Sequence, residues 1–328
     1  MEVLIQPLRK VIKVSPGVNL LDALRAAQVP VSYSCLAGRC GTCRCKVLSG
    51  EVLDAGRPLQ NPLDAGDAYV LACQTFLTEP CTIEIPEPDE IVVHPARVLK
   101  ATVQSVESMA HDVKRLVLKA TRPFAYSPGQ YAELRFTSEL ARPYAMAGLS
   151  GEPALEFHVR VVPGGRASGY VANQLKPGDT VRVSGPLGTA YLRRRHAGPI
   201  LCAAGGTGVA PVLSIVRGAI AGGMRNPIHV YVGARSMRDI YGLEPMRTLQ
   251  REHPALQLQM SVSSGASLGE HRRGLVVEAI ARDLGNLAGW QAYLYGSPPM
   301  VEATAVLARR KGIGAVCIHA EAFYTQPS

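Results

Sequence analysis

Cys35, Cys40 and Cys43 stand in the frame C-x4-C-x2-C, and Cys73 follows thirty residues after Cys43. A 2Fe-2S cluster needs four thiolates converging from one wrapped loop and one strand end, and this unequal spacing is the one such a cluster uses. Gly38 and Gly41 let backbone amides approach the sulfurs closely enough to hydrogen-bond them, which helps to set the reduction potential. A lone Cys40-x-x-Cys43 would fit zinc or a dithiol couple as well. The single distant partner argues against both, because structural zinc favours paired knuckles and a disulfide framework belongs to small secreted chains. One-electron chemistry is therefore expected in the first quarter of the chain. Cys45, on a likely strand two residues after Cys43, and Cys81, Cys202 and Cys317, in apolar strand-like runs, are expected to pack as small buried hydrophobes.

A second chemical signal comes at Gly205-Gly206-Thr207-Gly208-Val209-Ala210-Pro211, directly after the apolar run Ile200 to Ala204. Glycines let a backbone approach a pyrophosphate, and Pro211 suits the first turn of the helix that follows. A purely structural turn is the alternative.

These residues need elements to hold them. In residues 1–88, apolar runs at Val3 to Ile5 and Val11 to Val14 precede a helix over Leu20 to Ala27 that Asn19 can cap. Strands are expected over Arg44 to Leu48, Tyr69 to Ala72 and Thr82 to Ile85, forming a small mixed sheet. Residues 89–96 read as a linker, with Pro86, Pro88 and Pro95 around the polar stretch Glu87 to Glu90. Residues 97–197 are strand-rich, with runs at Val98 to Val106, Lys114 to Lys119, Tyr131 to Phe136, Leu155 to Val161 and Thr180 to Ser184 and one short helix over Arg166 to Leu175. That pattern predicts an antiparallel barrel. In residues 198–328 strands and helices alternate: strands Ile200 to Ala204, Ile228 to Val232, Leu256 to Val262, Ala292 to Tyr295 and Ala315 to His319, and helices from Pro211, Leu275 to Leu284 and Val301 to Arg310. Alternation of this kind predicts a parallel, Rossmann-like sheet. The fold class is thus multidomain, α+β followed by α/β.

Arg142-Pro143-Tyr144-Ala145, after the strand start Pro128-Gly129-Gln130-Tyr131, resembles the flavin motif R-x-Y-S of the ferredoxin-NADP reductase superfamily. The segment His158-Val159-Arg160-Val161-Val162-Pro163-Gly164-Gly165-Arg166-Ala167-Ser168 resembles the stretch of that family which runs beside the flavin ring and turns its pyrophosphate into a helix N-terminus. The resemblance implies FAD, with FMN as the competitor. It has Tyr144 stacked on the ring and Arg142 forked onto phosphate, with Ala145, His158, Val159, Arg160, Gly165, Ala167 and Ser168 along the same cofactor. Tyr144 could equally serve as a barrel core residue. The family usually has Ser or Thr where this chain has Ala145, so the hydroxyl that commonly bonds the flavin N5 is missing.

The glycine loop matches the same family's G-G-T-G-x-A-P motif, which implies NADH or NADPH on Gly206, Thr207 and Gly208. Gly296, Ser297 and Pro298 resemble its C-G-P-P loop, with Tyr295 in place of the cysteine, and Phe323 resembles the terminal aromatic beside the flavin. Arg235, just beyond the strand Ile228 to Val232, could attract a 2′-phosphate or be an ordinary surface charge. Use of both coenzymes is expected.

A β-grasp ferredoxin module, a flavin barrel and a nicotinamide sheet in this order resemble the reductase components of bacterial ring-hydroxylating oxygenases, and Ser34-Cys35 with Gly38 to Cys45, Ser184 to Arg193 and Val212 to Ala219 resemble those of the naphthalene dioxygenase type. The resemblance implies transfer from NAD(P)H through FAD and the 2Fe-2S cluster to a Rieske-type ferredoxin. Alternatives are direct delivery to a terminal oxygenase of a two-component system, service to a deoxysugar dehydratase, or a zinc-binding adaptor. Hydride brings two electrons and the cluster takes one at a time, so a carrier that holds two and releases them singly is required between them, a role the implied FAD fills, and no side-chain acid or base is required. His158 and His319 are expected to be structural or cofactor-adjacent.

The net charge is +9, while residues 1–88 hold 8 basic and 9 acidic side chains, so the basic surplus belongs to the later modules. It suits anionic nucleotides; with no Lys/Arg run and few aromatics, nucleic acid is not an expected partner. Arg39, Arg44 and Lys46 could form a docking rim for the electron acceptor, or be ordinary solvated charges. Eight cysteines without an apparent signal peptide suggest a reducing compartment, the cytoplasm, and a monomer is expected. Ala197 to Val216 carries no charge, but its glycines and prolines read as strand, turn and helix rather than a membrane span.

Overall fold

The computed structural model describes residues 1–29, 31, 43–54, 69–85, 94–264 and 271–324. They form two compact units, residues 1–96 with 185–189, and residues 97–184 with 190–328.

In the first unit, β1 (Glu2–Gln6) pairs antiparallel with β2 (Lys10–Lys13), and Val3 and Ile5 alternate into the core with no exposed surface. β3 (Val18–Asn19) runs directly into α1 (Leu20–Ala26). Asn19 is the cap the sequence predicts: its Oδ1 accepts from the amides of Leu21 at 3.0 Å and Asp22 at 3.3 Å. Leu20, Leu21 and Leu24 turn the apolar face of the helix inward. There follow β4 (Arg44–Ser49), β5 (Val52–Asp54), β6 (Tyr69–Leu71), β7 (Thr75–Leu77) and β8 (Cys81–Glu84). The main sheet has the order β2-β1-β8-β4-β6, with β8 parallel to β1 and antiparallel to β4. It is mixed, as expected, but a second small sheet, β3-β7-β5, is not anticipated by the sequence. The strand expected to reach Ala72 stops at Leu71, where a 3-10 turn over Ala72–Gln74 redirects the chain and carries Cys73. Linker residues 86–93 lie outside the described residues.

The second unit begins with β9 (Arg97–Ala110), β10 (Val113–Ala120), β11 (Tyr131–Arg135), β12 (Ala141–Ala145), β13 (Leu155–Arg160), α2 (Arg166–Asn173) and β14 (Thr180–Leu187). The sheet order is β12-β11-β14-β9-β10-β13. The pairs β9–β10, β10–β13 and β11–β12 are antiparallel, and a bridge between Met146 and Phe157 joins the two outer strands and closes the barrel. Leu116, Leu118, Leu134, Phe157, Val181 and Val183 fill its interior. β12 is unforeseen as a strand, although it is the stretch that carries the Arg-Pro-Tyr-Ala motif.

The same unit continues with β15 (Ile200–Gly205), α3 (Val209–Ala221), β16 (Ile228–Ala234), α4 (Leu243–Glu252), β17 (Leu256–Val262), β18 (Arg272–Arg273), α5 (Val276–Asp283), β19 (Gln291–Gly296), α6 (Pro298–Arg310) and β20 (Ile318–Ala322). Their order is β18-β17-β16-β15-β19-β20, with every adjacent pair parallel. β15 is central and buried from Ile200 to Ala204, as expected of a strand covered on both faces. α4 is missed by sequence because Met246 is its one fully buried residue and the rest of its surface is polar. The strand expected at Ala315 to His319 instead starts at Ile318, after a 3-10 turn over Ala315–Cys317. Cys317 is consequently half-buried rather than a core residue, whereas Cys45, Cys81 and Cys202 are buried as expected. α6 starts three residues before Val301 because Pro298 fits its first turn. Ala197 to Val216 resolves into β15, a turn and α3; among the described residues no helix is long and apolar enough to cross a membrane.

Candidate functional site

The candidate cluster ligands come from two elements. Cys43 immediately precedes β4, and Cys73 sits in the 3-10 turn after β6, the strand that pairs with β4. The pairing brings the two together: the Cys73 amide donates to Cys43 Sγ at 3.4 Å, and the Ala72 amide donates to the Cys43 carbonyl at 2.8 Å. Gln74 Nε2 reaches Cys73 Sγ at 3.7 Å, and Asn19 Nδ2 donates to the Cys73 carbonyl at 3.1 Å. Two sulfurs that receive N–H donors suit thiolate ligands of iron. Cys45, two residues from Cys43, differs: it is sealed in the core, burial pushes its thiol up to about 12, and it cannot supply a thiolate cheaply. Cys35, Cys40 and Arg39 lie outside the described residues.

Within the second unit, β11 and β12 hold the first flavin motif, with Tyr131 opposite Ala145 and Leu134 opposite Arg142. Arg142 is half-buried and donates to the Ala141 carbonyl at 2.8 Å. Tyr144 meets Phe136 edge-on at 6.3 Å, and burial pushes its hydroxyl up to about 12. Ala145 is 9% exposed and leaves only backbone for polar contact.

Across the closing bridge, β13 carries His158, Val159 and Arg160. Glu156 accepts from Arg115 at 2.7 Å and from His158 Nε2 at 3.0 Å. Burial alone would raise the Glu156 carboxyl, but the hydrogen bonds from His158 and Arg115 outweigh it and hold the group down to about 2. An ionised carboxylate can only accept, so the His158 proton is on Nε2, leaving Nδ1 buried with no partner among the described residues. Val159 is fully buried, and Arg160 Nε donates to Asp112 at 2.9 Å.

β13 leads through Gly164, at φ +73° with open space around it, to Gly165 and α2. No side chain caps α2. Ser168 Oγ turns back to accept from the Val162 amide at 3.1 Å, Gly165 precedes the helix, and Ala167 is buried beneath it. An uncapped helix start beside an open glycine, with the Arg142 guanidinium in the same barrel, offers the donors an anionic flavin nucleotide requires.

The glycine loop meets this arrangement directly. A Cβ on Gly206, which has φ +55°, would sit 3.3 Å from Arg160 Nη1. Thr207 is half-buried, Gly208 is buried, and no side chain caps α3. The second loop packs on the first: a Cβ on Gly296 would lie 3.0 Å from the Gly205 amide, and Ser297 and Pro298 start α6 with no side-chain cap. Phe323 joins them through its amide, which donates to the Gly296 carbonyl at 2.7 Å. Arg160, Gly206, Gly208, Gly296 and Phe323 therefore converge. Arg235 lies apart from them, one residue past β16, with its side chain 71% exposed and 3.8 Å from Asp239.

Of three further residues near these segments, Tyr241 and His111 carry no sequence signal, while Glu321 opens the terminal segment Glu321-Ala322-Phe323. Glu321 pairs with Tyr295 across β20 and β19; its Oε2 has no partner among the described residues, and burial pushes its carboxyl up to about 8. Tyr241 lies edge-on to His158 at 5.5 Å with its hydroxyl also unpartnered. His111 Nδ1 donates to the Arg238 carbonyl at 3.0 Å, tying the β9–β10 turn to the segment after β16.

A cluster module, a flavin barrel and a parallel nucleotide sheet define the class: an iron-sulfur flavoprotein oxidoreductase. Family models agree, matching a 2Fe-2S iron-sulfur cluster binding domain over residues 3–78, an oxidoreductase FAD-binding domain over 100–191 and an oxidoreductase NAD-binding domain over 203–305. The chain is 54% identical, over 99% of both chains, to the ferredoxin–NAD(P)+ reductase component of the naphthalene 1,2-dioxygenase/salicylate 5-hydroxylase systems of a Ralstonia species. It is 51% identical, over the same shares, to the reductase component of the naphthalene 1,2-dioxygenase system of Pseudomonas putida. Among solved structures, an Amycolatopsis cytochrome P450 reductase aligns with a TM-score of 0.74 at 33% identity, covering 98% of each chain. The ferredoxin reductase of carbazole 1,9a-dioxygenase aligns at 0.68 and 26%, again covering 98% of each. The chain belongs to the family of ferredoxin–NAD(P)+ reductase components of naphthalene 1,2-dioxygenase-type systems.

Proposed function

We propose that this protein oxidises NADH or NADPH and delivers the electrons singly to a Rieske-type ferredoxin serving a dioxygenase of naphthalene-like aromatic hydrocarbons. The observation that carries it is the convergence of Arg160 from the flavin barrel, Gly206 from the first nucleotide loop and Phe323, held on Gly296, from the terminal segment. FAD, when bound, accepts the hydride pair and releases electrons one at a time. Arg142, Tyr144, Ala145, His158, Val159, Arg160, Gly165, Ala167 and Ser168 hold it, with the α2 amides receiving its pyrophosphate. Gly206, Thr207, Gly208, Gly296, Ser297 and Pro298 orient the nicotinamide coenzyme, and Phe323 covers the flavin until the nicotinamide displaces it.

Cys35, Cys40, Cys43 and Cys73 hold the exit cluster in residues 1–88; residues 97–197 form the flavin module and 198–328 the coenzyme module, joined to the first by 89–96. The cysteine content suits a reducing compartment, the cytoplasm, and the reductase acts as a monomer. The test is reconstitution with a naphthalene-type oxygenase, with and without its Rieske ferredoxin. Turnover should require the ferredoxin, while a small dye is reduced in either case; equal turnover without ferredoxin overturns the acceptor, and a protein with no flavin and cluster absorbance overturns the whole reading.

A further inference from the structure

Tyr295 stands where the resemblance to C-G-P-P has cysteine, and its ring is fully buried. Its hydroxyl donates to the Ala190 carbonyl and lies 3.4 Å from that of Gly129. Tyr293, two residues earlier on the same face of β19, accepts from the Arg193 amide at 2.7 Å. Both tyrosines of the coenzyme sheet thus reach the chain segment that leaves the barrel.

The backbone around Tyr295 has a second set of neighbours. A Cβ on Gly208 would collide with the Tyr295 carbonyl and come within 3.1 Å of its Cβ, so the nucleotide loop rests directly on this residue. The next residue, Gly296, accepts from the Phe323 amide. On the barrel side, Gly129 precedes Gln130, whose carbonyl accepts from Met146 at 3.1 Å, and Tyr131, which pairs with Ala145. One side chain therefore spans from the glycine loop to the turn that starts the flavin strands. A thiol at this position would stop well short of the Ala190 carbonyl.

We infer that Tyr295 is a positioning residue for hydride transfer: its buried hydroxyl fixes the glycine loop, and with it the nicotinamide, relative to β11 and β12. This rests on the proposed transfer from NAD(P)H to FAD. Reaction rates depend steeply on the alignment of donor and acceptor, so loss of one strut acts on the transfer step more than on binding. Removing the hydroxyl also leaves the Ala190 carbonyl without this donor, which favours a shift of the loop.

The test uses the full holoprotein and two variants, Tyr295→Phe, which keeps the ring, and Tyr295→Cys, which installs the residue of the related motif. On rapid mixing with NADH, flavin reduction at saturating coenzyme should slow by about ten-fold, with the half-saturating concentration changed less than two-fold. The long-wavelength charge-transfer absorbance of oxidised coenzyme on reduced flavin should weaken in parallel. Tyr293→Phe, which alters the neighbouring contact away from the glycine loop, should leave that band intact. If both Tyr295 variants melt earlier yet keep the wild-type rate per bound flavin and the same band, the residue is merely structural and the inference fails. It fails equally if Tyr293→Phe weakens the band as much. Should Tyr295→Phe not retain flavin, Tyr295→Cys decides by the same readouts. Wild-type flavin that neither coenzyme reduces would instead refute the underlying function.

Discussion

The backbone amide of Cys73 points at the sulfur of Cys43 from 3.4 Å, and Gln74 Nε2 approaches the sulfur of Cys73 at 3.7 Å. N–H donors stabilise the extra negative charge of a reduced cluster, so their number tunes its potential. Gln74→Leu should therefore lower the midpoint potential of the cluster while leaving its visible spectrum and iron content unchanged. Redox titration followed by electron paramagnetic resonance measures this; an unchanged potential removes Gln74 from the tuning set.

Arg44 stacks 3.9 Å from the centre of the Tyr69 ring, and Lys46 faces the same ring at 5.7 Å, giving the cluster module a local basic face. If this rim docks the acceptor, the double charge reversal Arg44→Glu, Lys46→Glu should slow ferredoxin reduction most at low ionic strength and leave dye reduction untouched. Parallel loss of both activities would point to damage at the cluster instead.

Coenzyme choice should respond to Arg235, whose exposed guanidinium is only loosely held by Asp239 at 3.8 Å. Arg235→Ala is expected to raise KM for NADPH several-fold with KM for NADH nearly constant, since only NADPH carries the 2′-phosphate. Steady-state kinetics with the two coenzymes decide it, and an equal effect on both would assign Arg235 to the surface.

Glu156 gives a pH prediction with a definite sign. Its carboxyl is held down to about 2 in the fold, against an ordinary value of 4.5. A depressed carboxyl contributes stability that is fully present above the unfolded value and is lost as pH falls from about 4.5 through about 2. Glu156→Gln should be less stable than wild type at neutral pH and should show a shallower loss of stability over that acid window. Thermal melting of both proteins from pH 7 downward checks it; identical slopes would mean that the pairing with His158 and Arg115 contributes nothing.

Much of the architecture is legible because it rests on local rules. Asn19 announces α1, the apolar run Val3 to Ile5 announces β1, and the glycine loop marks the turn from β15 into α3. What escapes is set by partners distant in sequence. β12 reads as a motif rather than a strand because Pro143 interrupts it, yet its pairing with β11 holds it extended. α4 buries little, so its periodicity is faint. The unpartnered groups of Glu321 and Tyr241 and the strut formed by Tyr295 depend on contacts across dozens of residues, which neither composition nor spacing encodes.

The position of β8 has a consequence for how the cluster module is made. This strand is the last of its module in sequence but the middle strand of its sheet, lying between β1 and β4. During synthesis the sheet stays split until residues 81–84 are made, eight residues after Cys73. The β1–β2 and β4–β6 pairs are each local in sequence, but only the last strand to be made joins them into one sheet.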